Sequence, residues 1–96
     1  MAKVKLSNSA LKDLESIYSY IAADSEVYAE QVINNIYKRL KMLEIHISVG
    51  KVVPEFNNPS IRELIEKPYR IIYRIKNENE ISIVRVYHGA RLLRTL

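Results

Sequence analysis

The chain contains no cysteine, which excludes disulfides and thiolate metal sites and makes a reducing cytoplasm the expected compartment. No apolar run approaches the roughly 20 residues that cross a bilayer. The opening Met1-Ala2-Lys3-Val4-Lys5-Leu6 has none of the apolar stretch of a signal peptide. A soluble intracellular protein with no membrane partner is therefore expected. Internal repeats, low-complexity tracts and linkers are also missing, so one domain over residues 1–96 is expected. At 48% hydrophobic content, a chain of this size buries about 60 to 65% of its unfolded surface, enough for one core. The 15 Lys and Arg against 11 Asp and Glu leave a net charge of +4. That balance suits nucleic acid or an acidic partner without selecting between them.

Lys3-Val4-Lys5-Leu6 alternates charged and apolar side chains, the pattern of a short edge strand with one buried face. Ser7-Asn8-Ser9 then offers acceptors for a helix start, and Leu11, Leu14, Ile17, Tyr18 and Ile21 recur at threes and fours. This predicts a helix over about 8–22. After Ala22-Ala23-Asp24-Ser25, with Asp24 or Ser25 as cap, the stripe resumes at Ala29, Val32, Ile33, Ile36, Tyr37, Leu40 and Leu43. A second helix ends near Glu44, with Lys38, Arg39 and Lys41 favourably placed at the negative end of its dipole. From Ile45 to Ser60 the periodicity fails, and Gly50, Pro54, Asn57-Asn58 and Pro59 mark a loop carrying Glu55 and Phe56. Ile61 to Glu66 reads as a strand, broken by Lys67-Pro68. The expected fold is α+β in the order β-α-α-β-β-β: a helical hairpin on one face of a small, mainly antiparallel four-stranded sheet.

The last third, Tyr69 to Arg91, holds two β-branched-rich runs around Lys76-Asn77-Glu78-Asn79-Glu80 and reads as a hairpin with a basic, protonatable end. Tyr69, Ile71, Tyr73 and Ile75 form its core face. On the second run neither Ile81, Ile83, Arg85, Tyr87 nor Ser82, Val84, Val86, His88 is cleanly apolar, so register decides. An odd connection sets Arg70 opposite His88 on the face away from the helices; an even one turns His88 inward beside Tyr69. The odd register is favoured because it gathers Ile71, Tyr73, Ile75, Ile81 and Ile83 under the helices. It leaves Arg70, Arg74 and His88 on an open basic face, and Arg85 in need of an exit past the helices.

The element order resembles the RelE/ParE superfamily of toxins. The pieces that carry it are Ser9-Ala10-Leu11-Lys12-Asp13-Leu14, Ala29 to Leu43, Arg62-Glu63-Leu64, Tyr69-Arg70-Ile71-Ile72-Tyr73 and Val84-Arg85-Val86-Tyr87-His88-Gly89-Ala90-Arg91. The resemblance covers nearly the whole chain and is closer to ParE than to RelE. It implies the toxin of a type II toxin-antitoxin pair, serving plasmid stabilisation or growth control and held inactive in a 1:1 or higher complex by a protein antitoxin. ParE-like members bind DNA gyrase, and RelE-like members cut messenger RNA on the ribosome.

Cleavage through the RNA 2′-hydroxyl needs a base, a cation for the charged phosphorane and an acid for the leaving oxygen. One RelE-like branch uses a glutamate, an arginine and a histidine in that chain order, which Glu55, Arg70 and His88 match in type. Tyr87 is a poor stand-in for the late tyrosine of other branches, since the favoured register points it the other way. The ParE-like reading needs no nuclease. It makes Arg62, Arg70, Arg74, His88, Arg91 and Arg94 a basic contact surface, with Leu92, Leu93 and Leu96 covered by the antitoxin. Ordinary roles compete: a strand-end histidine, a solvated arginine face, a loop carboxylate at Glu55. Tyr18, Tyr20, Tyr28 and Tyr37 read as core edge or interface. His46 lacks a partner at ligand spacing, so neither a metal site nor a cofactor is expected.

Overall fold

The structure, a computed structural model, describes residues 1–89. Their order is β1 (Lys3–Leu6), α1 (Asn8–Ala22), α2 (Glu26–Leu43), β2 (Lys51–Val52), β3 (Ile61–Glu66), β4 (Tyr69–Asn77) and β5 (Glu80–His88). Each helix starts where a serine on extended backbone can satisfy an orphan amide. Ser7 Oγ accepts from Ala10 N–H at 3.0 Å and Ser25 Oγ from Tyr28 N–H at 3.1 Å. Of the two caps open to α2, Ser25 is the one used, and Glu44 is the C-cap. Glu26 in its first turn and Lys41 in its last complement the helix dipole. Ala10 and Leu14 of α1, with Ile36, Leu40 and Leu43 of α2, face the sheet in one core.

The sheet order is β1-β5-β4-β3-β2, with β1 parallel to β5 and the other pairs antiparallel. This is the expected helical hairpin on one face of a mainly antiparallel sheet, with β1 at an edge. It has five strands rather than four. The added β2 lies in the 45–60 stretch read as loop, because two residues are too few to leave a period-two signal. Neighbours hold it in place. Arg62 donates to the Ser48 and Gly50 carbonyls at 3.3 and 2.9 Å. The buried Tyr73 hydroxyl donates to the Ile47 carbonyl and accepts from Gly50 N–H, both at 2.9 Å. A Cβ on Gly50 would stand 2.6 Å from that hydroxyl and 2.7 Å from the Glu63 carbonyl, so only glycine fits.

The hairpin satisfies both candidate registers in turn. Its connection has two residues, Glu78 and Asn79, and Asn77 pairs with Glu80. A shift between Ile75 and Asn77 then sets Ile75 against Ile81 and Tyr73 against Ile83, as the odd register requires. A second shift, with Val84 as the extra residue, restores the even pairing: Ile72 with Arg85, Ile71 with Val86, Arg70 with Tyr87 and Tyr69 with His88. Ile71, Tyr73, Ile81, Ile83 and Val86 therefore all join the helix-side core. The placement of Arg70 opposite His88 is corrected: Tyr87 stands there, and His88 pairs with Tyr69.

The same bulge resolves Arg85, which no longer points into the core. It reaches Asp13 of α1 through Nε at 2.7 Å and Nη2 at 2.9 Å. Asp13 also accepts from Val86 N–H at 2.9 Å, and Ser7 Oγ donates to the Val84 carbonyl at 2.8 Å. Residues at the start of α1 thus satisfy the edge of β5 beyond the end of β1.

The face away from the helices is not the open basic surface expected. Val53, Ile61, Ile72 and Tyr87 form a second apolar cluster there, with Phe56 packed against it. The loop turns back at Asn57, whose φ of 48° an asparagine tolerates, and Phe56 and Asn57 both donate to the Val53 carbonyl.

Candidate functional site

Arg70 is the centre of the face beneath that loop. Its strand position points it away from the helices, and it is buried at 8% exposure among Glu63, also at 8%, and Glu55. The guanidinium makes two forks. Nη1 and Nη2 meet Glu55 Oε2 and Oε1 at 2.8 and 3.0 Å. Nε and Nη2 meet Glu63 Oε1 and Oε2 at 3.2 and 2.8 Å. This bidentate geometry is the strong form of an arginine–carboxylate pair. The hydrogen bonds to Glu55 first, then those to Glu63, raise the Arg70 pKa further above its ordinary value against the lowering effect of burial. A permanently charged, low-dielectric ion cluster results.

Two of the three nuclease candidates, Glu55 and Arg70, are therefore brought together, but as partners of each other. His88 is exposed at the hairpin end, edge-on to Tyr69 with ring centroids 6.0 Å apart. It shares with Arg70 the lining of a cavity of about 430 Å³ beside Pro68 and Gly89, where Gly89 N–H donates to the Pro68 carbonyl. A Cβ on Gly89 would lie 2.8 Å from that carbonyl oxygen. Tyr87, not His88, is the residue paired with Arg70, and its ring lies 4.5 Å from the Arg85 guanidinium carbon.

Of the expected basic surface, Arg62 braces the loop before β2 through the Ser48 and Gly50 carbonyls and the loop after it through the Pro59 carbonyl. Arg74 is exposed on β4. Arg91, Arg94, Leu92, Leu93 and Leu96 lie outside the described residues. Tyr20 and Tyr28 are exposed. Tyr20 lines a cavity with Tyr69 and His88 at the hairpin end, and burial, then the charges of Tyr28 and Tyr20, raises the pKa of Tyr69.

Two carboxylates were missed. Glu63 lies between Ile61 and Ile65 on the β3 face that meets Arg70, an acid where apolar neighbours are expected. Asp13 sits three residues after Ala10 and four before Ile17, on the apolar stripe of α1. An acid on a buried stripe signals a fixed cationic or amide partner. Among the described residues no group of three or more His, Asp or Glu is placed to hold a metal ion, and no helix is long and apolar enough to cross a membrane.

A family model described as the ParE toxin of the type II toxin-antitoxin system, parDE, matches residues 4–93. The chain is similar to a solved structure of a chromosomal ParDE system from P. aeruginosa. That likeness has 27% identity and a TM-score of 0.74, over 92% of this chain and 96% of that one. It is also similar to the YoeB dimer from Staphylococcus aureus, at 18% identity and a TM-score of 0.61, over 91% of this chain and 97% of that one. The second likeness bears on the fold alone. No curated protein matches the chain.

Proposed function

Since the chain belongs to the ParE toxin family of type II toxin-antitoxin systems, we propose that it arrests growth by binding DNA gyrase and is neutralised by a cognate antitoxin in the cytoplasm. The observation that carries the binding reading is the commitment of Arg70. A cation that stabilises a phosphorane must offer donors to the phosphate, whereas the Arg70 fork is held by two carboxylates within 2.8–3.2 Å. His88, the candidate acid or base, stands across from Tyr69 instead. On this reading Arg74, His88, Arg91 and Arg94 make the contact with gyrase, and arginine is a favoured interface anchor. Leu92, Leu93 and Leu96 contact the antitoxin. The decisive assay is gyrase supercoiling with purified protein: inhibition at micromolar concentration is expected, and growth arrest without it refutes the target.

One observation favours ribosome-dependent RNA cleavage as the second reading: Arg70 and His88 line a common cavity. That reading requires His88→Gln to lower cleavage of ribosome-bound messenger by about a hundredfold. Absence of cleavage in the unaltered protein removes it.

A further inference from the structure

The sheet face turned away from the helices divides in two. Toward Arg70 it is roofed by Val53 and Phe56 over Ile61, Ile72 and Tyr87. Toward the hairpin tip it carries cations. Val4 and Leu6 pack on the helix-side core, so the pleat turns Lys3 and Lys5, both exposed, to the other side. Register sets Lys5 opposite Ser82 on β5, and Ser82 opposite Arg74 on β4. Arg74 is in turn opposite Ile61 of the outer cluster, which fixes its face. Lys5, Ser82 and Arg74 thus form one row across three strands, about 10 Å from end to end at the usual strand spacing. Lys3 stands two residues along β1, and Lys76, also exposed, two residues along β4. None of these four cations is in an ion pair among the described residues. Glu80, opposite Lys3, places one acid at the tip corner.

We infer that this half of the sheet binds the phosphate backbone of duplex DNA without reading its sequence. Four cations around one hydroxyl supply donors for phosphate and nothing that distinguishes a base edge. The kinds of group that are missing choose among acidic partners. A protein interface is anchored by buried aromatic or large apolar side chains, and a single strand is held by aromatic rings on which its bases stack. Neither is present in the row: the exposed aromatics among the described residues, Tyr20, Tyr28 and Tyr37, all stand on the helices, on the other side of the sheet. A duplex keeps its bases stacked inside and presents phosphates alone, which is what an open basic face can meet. Through Arg74 the row adjoins the surface proposed to contact gyrase, so the complex it serves is gyrase already on DNA. That setting rests on the gyrase reading; the DNA contact does not.

The test is fluorescence anisotropy of a labelled duplex of about 20 base pairs, titrated with the full chain at salt concentrations from about 50 to 200 mM. Contact with about three or four phosphates gives a log–log salt slope of about −3, so affinity is expected to fall about 40- to 150-fold over that range. A duplex of unrelated sequence is expected to bind equally. Lys5→Gln/Lys76→Gln is expected to reduce the slope by about 2. Lys12→Gln/Lys38→Gln, which removes the same charge from exposed helix positions, is expected to leave it unchanged. Equal losses in the two double variants, or no duplex binding at low salt with about 100 μM chain, overturn the proposal. Tighter binding of a single strand, or of a polyglutamate peptide of matched charge, overturns it in favour of that partner. Inhibition of gyrase without duplex binding overturns this contact alone, whereas duplex binding without inhibition supports the contact and overturns the target.

Discussion

Arg70→Ala should be among the most destabilising substitutions in the chain. The change removes the cation that, among the described residues, is held between Glu63 and Glu55, whose side chains are 8% and 17% exposed, and strips four charge-assisted hydrogen bonds. Removing one partner of a buried ion pair costs about 3–5 kcal/mol. A chain of this length has about 5–14 kcal/mol in total, so about a fifth of its stability or more is at stake. With a urea m-value near 1–1.5 kcal/mol/M, the midpoint falls by about 2–5 M in a circular-dichroism titration. Arg70→Met with Glu63→Gln removes charge from both buried positions while keeping their bulk, and Glu55, on the loop side, can turn to water. That pair should recover to within about 2 kcal/mol of the parent. On the proposed function it should also inhibit gyrase as the parent does. A cost below about 1 kcal/mol for Arg70→Ala refutes the structural account of the cluster. A folded double variant that loses toxicity would return Arg70 to a direct role in function.

Tyr73→Phe leaves the Gly50 amide and the Ile47 carbonyl without the hydroxyl they share and should cost about 1–3 kcal/mol in chemical unfolding. Burial raises the Tyr73 pKa from 10.0, opposed by the Gly50 hydrogen bond. Its contribution is therefore complete below about pH 10 and lost as pH rises through the higher folded value. A stability profile above pH 10 should accordingly fall less steeply in the Phe variant. Gly50→Ala drives a methyl against Tyr73 and the Glu63 carbonyl and should lower stability by about 1–3 kcal/mol in thermal unfolding. Ser7→Ala removes both the α1 cap and the donor to the bulge carbonyl. About 1–2 kcal/mol is expected, with faster amide exchange in both α1 and the second half of β5.

The helices were legible almost to the residue because Ser7 and Ser25 mark their starts and Ala10, Leu14, Ile36, Leu40 and Leu43 keep a helical period. The hairpin was legible from its β-branched runs. Its irregularities were not, since an extra residue at Lys76 or Val84 carries no composition of its own. Their trace is a break in parity: Ile81, Ile83 and Val86 all face the helices, and an unbroken strand cannot bring positions 83 and 86 to one face. The candidate site was legible in residue type, since Glu55 does meet Arg70, but not in role. Glu63, two forks rather than one, and the Val53–Phe56 cover depend on long-range pairing that a linear pattern does not record.

The bulge at Val84 carries the functional weight that the hairpin register held in the sequence. A continuous odd register would leave His88 beside Arg70, the arrangement a phosphate-handling site needs. The extra residue instead exchanges the two last side chains, giving Tyr87 to the Arg70 face and His88 to the Tyr69 side. That exchange is fixed by α1. Ser7 holds the bulged carbonyl, and one residue further on Asp13 grips Arg85 through its side chain and Val86 through its amide. A one-residue slip of β5 would break these contacts and turn Ile81 and Ile83 out of the core, far more than the exchange of two terminal side chains returns. The position of His88 is therefore set by residues at the other end of the chain. The contacts of Ser7 and Asp13 thus decide which face of the sheet each member of the Tyr87–His88 pair takes.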